Sequence, residues 1–137
     1  KRYTDILRHP DNESIEGVLI VRIESSVLYF NVEFIKEQLW KKIDTESNSL
    51  HAIILDLNSS PRIDIAGARF LKQLFIDLKA KNISLKIAEA RSEVRDTLRS
   101  ENLEVLLGHI SRGVSVDDLV VSAINSNLEV PPTIENG

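Results

Sequence analysis

The sequence has 137 residues, 17 Lys and Arg against 21 Asp and Glu, a formal net charge of -4, 42% hydrophobic residues, and no cysteine or methionine. That length suits one domain with a single sizeable core, and the lack of cysteine removes disulfide scaffolds, zinc ribbons, thiol redox motifs and cysteine nucleophiles together, since each needs the sulfur. Interspersed charges with an acidic balance argue against a nucleic-acid partner, and apolar runs of four residues, as at 18–21 and 52–55, fall far short of the roughly 20 that cross a bilayer.

The chain opens at Lys1 with neither methionine nor a basic-then-apolar leader, and reads as a fragment cut at domain boundaries. Residues 17–30 are rich in Val, Leu and Ile on either side of Glu24, Ser25 and Ser26, which predicts one or two short strands with the turn between them. Asn31 is the expected cap of a first helix, whose apolar side is Val32, Ile35, Leu39 and Ile43 and whose polar side is Glu33, Lys36, Glu37 and Lys41. After a polar turn at 45–49, the continuous run from Ala52 through Leu57 predicts a central strand covered on both faces.

Residues 59–62 form a loop, and Asp64 stands as N-cap of a second helix striped by Ala66, Phe70, Leu71, Leu74, Phe75 and Leu78. Residues 79–82 close that helix, and 84–88 alternate like a strand. Ser92 is the expected cap of a short helix ending near Asn102. Ser115, with Asp117 and Asp118 in the first turn, opens a last helix through Leu119, Val120, Ala123 and Ile124. The stretch 126–137 has two prolines and no periodicity, so the reading is one domain over 1–125 and a disordered tail. Strands alternating with helices imply an α/β fold, a mostly parallel or mixed sheet of four to five strands with helices packed against it.

Little here points to catalysis. The five glycines, 17, 67, 108, 113 and 137, are too scattered to cradle a phosphate, so no P-loop or dinucleotide fingerprint is present. His9, His51 and His109 form no ligand cluster, and no metal, cofactor or catalytic residue is assigned. Asp56 and Asp64 lack a nearby histidine or nucleophile and read as a strand-end acid and a helix cap. A receiver-type phospho-accepting loop at Asp56 fits poorly: Pro61 comes five residues later where that family usually has four, Glu24 has no acidic neighbour to help hold Mg²⁺, and no late-strand lysine is suitably placed.

The stretch from Ala52 through Leu55-Asp56-Leu57 and Asp64 to Gly67 resembles the signature of STAS domains, found in anti-sigma factor antagonists and at the cytoplasmic ends of sulfate permease (SulP) anion transporters. Asp56 matches the strand-end acid, Asp64 the loop acid and Gly67 the glycine. Leu28-Tyr29-Phe30-Asn31 resembles a stretch typical of the permease branch, and Arg8-His9-Pro10 with 17–22 its entry strand. The antagonists carry a phosphorylatable hydroxyl directly after the loop aspartate; Ile65, followed by Ala66, stands there in this chain. The departure removes the kinase-operated switch and favours the permease branch.

The resemblance thus implies a non-enzymatic C-terminal module of a SulP-type transporter for bicarbonate or sulfate, on the cytoplasmic side of the membrane. It implies roles in dimerisation, folding or trafficking, and regulation, with the transmembrane domain of the same transporter and a second copy as partners. A soluble anti-sigma antagonist or stressosome-like interaction protein is the alternative, and a degenerate phosphotransfer domain comes after it. The expected docking loop comprises Arg62, Asp64, Ile65, Ala66, Gly67 and Arg69, and the expected interface positions on the helices are Phe34, Trp40 and Ile76.

Overall fold

A computed structural model describes residues 7–8, 15–46, 49–107 and 115–129, the last four as backbone. Four strands, β1 (Leu7–Arg8), β2 (Val18–Ile23), β3 (Ala52–Asp56) and β4 (Ser84–Ala88), lie in the order β1-β2-β3-β4. β1 runs antiparallel to β2, whereas β2, β3 and β4 are parallel, in register Val18 with Ala52 and Ala52 with Ser84. The sheet is therefore mixed, as the alternation of strands and helices predicted.

Parallel neighbours need crossovers, which are α1 (Val32–Glu46) between β2 and β3 and α2 (Ile65–Lys79) between β3 and β4. Then follow α3 (Ser92–Ser100), α4 (Leu103–Leu107) and α5 (Val116–Glu129). Strand side chains alternate, so Leu19, Val21, Ile23, Ile53, Leu55, Leu85 and Ile87 join the apolar sides of α1 to α4 in the main core. Val18, Ile20, Ala52, Ile54 and Ala88 point the other way, where α5 covers them with Val116, Leu119, Val120 and Ala123. Every residue of β3 is buried, as its unbroken apolar run requires.

Four local expectations are corrected. Residues 27–30 form no second strand; Val27 makes one isolated parallel bridge to Ile63, and Tyr29 and Phe30 sit in a turn. The Asn31 carbonyl accepts from Ile35 N–H (3.0 Å), but its side chain turns back: Oδ1 accepts from Leu28 N–H (2.9 Å) and Nδ2 donates to the Ser26 carbonyl (2.9 Å). Ser92 lies inside α3, behind Arg91, which supplies no side-chain cap. Finally, α5 runs to Glu129, beyond the boundary at 125 where the sequence reading begins a disordered tail, because capping at Ser115 and burial of its apolar side outweigh the weak periodicity of its end; residues 130–137 lie outside the described residues. The Ser115 cap itself is present, its Oγ accepting from Asp118 N–H at 3.1 Å.

Candidate docking site

The loop before α2 and the turn before α1 are fastened together by backbone groups. Val27 N–H donates to the Arg62 carbonyl (3.0 Å), Asp64 N–H to the Val27 carbonyl (3.3 Å), and Arg62 N–H to Ser26 Oγ (3.1 Å). Asp64 caps α2 as expected, Oδ1 accepting from Gly67 N–H at 2.9 Å, while Oδ2 accepts from Tyr29 N–H at 2.8 Å. One carboxylate thus satisfies a helix end and also holds the neighbouring turn.

Gly67 is buried at this junction, and a Cβ there would overlap the Val27 carbonyl oxygen and the Ile63 side chain. The glycine is required by the close approach of two chain segments. Behind the loop, Ser60 is buried and its Oγ donates to the Ile23 carbonyl at 2.9 Å, so this serine ties the end of β3 to the end of β2 and is no exposed acceptor.

The side chains displayed on this scaffold are apolar. Ile65 is 51% exposed at the place of the expected hydroxyl, and Tyr29 and Phe30 are 74% and 69% exposed, their rings meeting edge to face at 5.5 Å. Arg62 is exposed on the loop, and Arg69, one turn beyond Ile65, is exposed and pairs with Glu101 at 3.4 Å. Ala66 is half-buried and lines a hollow of about 290 Å³ between α1 and α2 with Trp40, Arg69 and Phe70.

The structure therefore gathers Arg62, Asp64, Ile65, Ala66, Gly67 and Arg69 at one end of α2. Trp40 reaches them only through the hollow. Phe34 and Trp40 are half-buried and packed against the main core, not free on the surface, while Ile76 is 46% exposed some 16 Å along α2 from Ile65 at 1.5 Å per residue. Tyr29 and Phe30 stand exposed on the turn bonded to Asp64, where the sequence predicts a strand because aromatic residues follow Val27-Leu28. The available cue was Asn31, a turn former directly abutting the helical period of Val32, which leaves a strand at 27–30 no room for a turn.

Asp56 stands apart from this site. Its Oδ1 accepts from Asn58 N–H (2.9 Å) and its Oδ2 from Arg22 Nε (3.2 Å), and Arg22 also lies 3.6 Å from Glu24. The hydrogen bond and charge of Asp56, and then Glu24, raise the Arg22 guanidinium above its ordinary value. Among the described residues no three His, Asp or Glu side chains gather as metal ligands, and no helix is long and apolar enough to cross a membrane. His51 is half-buried with its ring against Gly17, a glycine at φ 82°; His9 and His109 lie outside the described residues.

Residues 9–115 match the family model of the STAS domain. The chain belongs to the STAS domain family. Its similarity extends to high affinity sulfate transporter 2 of Stylosanthes hamata, 26% identical over 128 residues that cover 88% of this chain and 19% of the relative. Probable sulfate transporter 3.5 of Arabidopsis thaliana is 27% identical over 118 residues, 86% of this chain and 19% of the relative. The STAS chain thus spans about a fifth of the length of these transporters. Among solved structures, the murine Slc26a9 anion transporter in its inward-facing state aligns with a TM-score of 0.72 at 20% identity, covering 82% of this chain and 18% of that one. A proposed anti-sigma factor antagonist from Thermotoga maritima aligns at 0.67 and 12% identity, covering 89% of this chain and 97% of that one. At such identities the two structures share the STAS fold.

Proposed function

We propose that this STAS domain is the cytoplasmic module of a SulP-type anion transporter, non-enzymatic, acting in dimerisation, folding or delivery, and regulation of transport of an anion such as sulfate or bicarbonate. The observation that carries the reading is its relation to sulfate transporters over 118–128 residues, about a fifth of their length. Ile65 supports it, because an isoleucine and the following Ala66 leave no phosphoacceptor after the cap of α2, where a kinase-operated antagonist needs one. The alternative, a soluble anti-sigma antagonist or related scaffold, rests on the near-complete coverage of the Thermotoga maritima protein.

The test is anion uptake by the full parent polypeptide in cells lacking sulfate and bicarbonate carriers, with and without residues 7–129. Labelled sulfate or bicarbonate accumulating with the full chain, and falling with the deletion, is the expected result. A parent lacking apolar segments of about 20 residues, or uptake indifferent to the deletion, overturns it.

A further inference from the structure

The outer side of α2 carries a pattern that the core does not explain. Ile65, Arg69, Lys72, Ile76 and Lys79 follow one another at spacings of four and three residues, which sets them in one stripe on the side of the helix away from the buried Leu71, Leu74 and Leu78. The stripe runs for about 21 Å at 1.5 Å per residue. It holds three cations and no acid, with Arg69 and Lys79 exposed and Lys72 partly so, and its two isoleucines are 51% and 46% exposed. Charge is also unevenly spread along the chain: residues 62–81 have five Lys or Arg against two acids, whereas the rest has twelve against nineteen. Of those two acids, Asp64 is already engaged by the N–H groups of Gly67 and Tyr29.

We propose that this stripe rests on the surface of an anionic lipid bilayer, with Arg69, Lys72 and Lys79 over headgroup phosphates and carboxylates and with Ile65 and Ile76 set between the headgroups. Sign, apolarity and shape choose the occupant together. Clusters of roughly four to eight Lys or Arg attract anionic lipid, and a basic helix face that also presents apolar side chains is suited to the interface plane. A nucleic acid would meet the cations but leave both isoleucines against phosphate. An acidic peptide would need a groove, and the stripe is the crest of a helix; the hollow between α1 and α2 lies to one side, with Arg69 at its rim. Arg69 is held by Glu101 at 3.4 Å, an exposed pair weak enough to exchange for a lipid phosphate. Asp117 and Asp118 stand on α5, which covers the opposite face of the sheet, so these acids are turned away from the stripe. The surface has this chemistry whether or not the parent polypeptide is a transporter.

The experiment mixes the 137-residue chain with sedimentable vesicles, either of phosphatidylcholine alone or with about a third phosphatidylserine, at low and at physiological salt. Because the chain has no cysteine, Ile76→Cys and, on α5, the exposed Val121→Cys each take a single polarity-sensitive fluorophore. The expected result is sedimentation with the phosphatidylserine vesicles only, weakened by salt, with a blue shift from position 76 and none from position 121. Lys72→Glu combined with Lys79→Glu should lower the partition about tenfold or more, while Lys41→Glu with Lys42→Glu on α1 should leave it unchanged. Equal sedimentation with phosphatidylcholine alone, none with either vesicle, the same shift from 121, or indifference to reversal at 72 and 79 overturns the proposal. So does binding to soluble polyglutamate as tight as to the vesicles, which would make the stripe a face for an acidic protein instead.

Discussion

At the start of α2 the two oxygens of Asp64 each accept one backbone N–H, from Gly67 within the helix and from Tyr29 across 35 positions of chain. The first bond is the ordinary cap, worth about 1 kcal/mol, and the second joins the helix to the turn at Tyr29, beside the bond from Asp64 N–H to the Val27 carbonyl. Asp64→Ala should therefore cost about 2 kcal/mol in urea unfolding, the upper end of the range for a lost cap. Asp64→Asn should cost about half as much, because its single carbonyl can still cap Gly67 while its NH₂ meets the Tyr29 N–H donor to donor. No loss for Asp64→Asn would show that the Tyr29 bond contributes nothing, and equal losses for the two variants that the Gly67 cap contributes nothing. The capping role was readable from an acid standing before a periodic apolar stripe; the long-range partner was not, because nothing local to residue 29 or 64 reports that the two meet.

Among the elements, α5 has the most exacting task with the fewest means. Among the described residues it covers, with Ile15, the second face of the sheet, Val18, Ile20, Ala52, Ile54 and Ala88, yet of its own described side chains only Ala123 is buried. Val121 and Ile124 stay exposed, at 56% and 41%. Large aliphatic residues cost about 1.5–3 kcal/mol each when moved from full burial to water. A chain ending at residue 115 should thus lose several kcal/mol, seen as a lower urea midpoint, and should bind an apolar dye such as anilinonaphthalene sulfonate. Unchanged midpoint and dye binding would mean that the sheet face does not depend on α5. By contrast, α1 and α2 bury Ile35, Leu39, Ile43, Leu71, Leu74 and Leu78 almost wholly, so their periodicity alone sufficed to place them.

Over the whole molecule the two apolar layers share one sheet, since alternate residues of each strand feed opposite faces. Loosening either layer therefore disturbs the strands that serve the other, and unfolding should be a single transition. The only tryptophan, Trp40, sits half-buried on α1 at the edge of the main core, which makes its emission a local probe against the global signal of far-ultraviolet circular dichroism. Their urea midpoints should coincide. A tryptophan transition displaced from the helical one would show α1 parting from the sheet before the rest.

The alternation of β2, α1, β3, α2, β4 and α3, the capped start of α2 and the doubly covered β3 followed from the sequence, because each rests on periods and caps confined to a few neighbouring residues, whereas α4 had no such signal. The missing hydroxyl at Ile65 was equally plain, a matter of identity at one position. What required the tertiary structure was everything set by contacts between distant segments. It turned Val27 into an isolated bridge beside Ile63, aimed the Asn31 side chain backward, sealed Ser60 beneath the loop, and half-buried Phe34 and Trp40. It also brought Tyr29 and Phe30 beside Ile65, because the carboxylate that ends one turn and begins one helix belongs to a residue 35 positions away from the first.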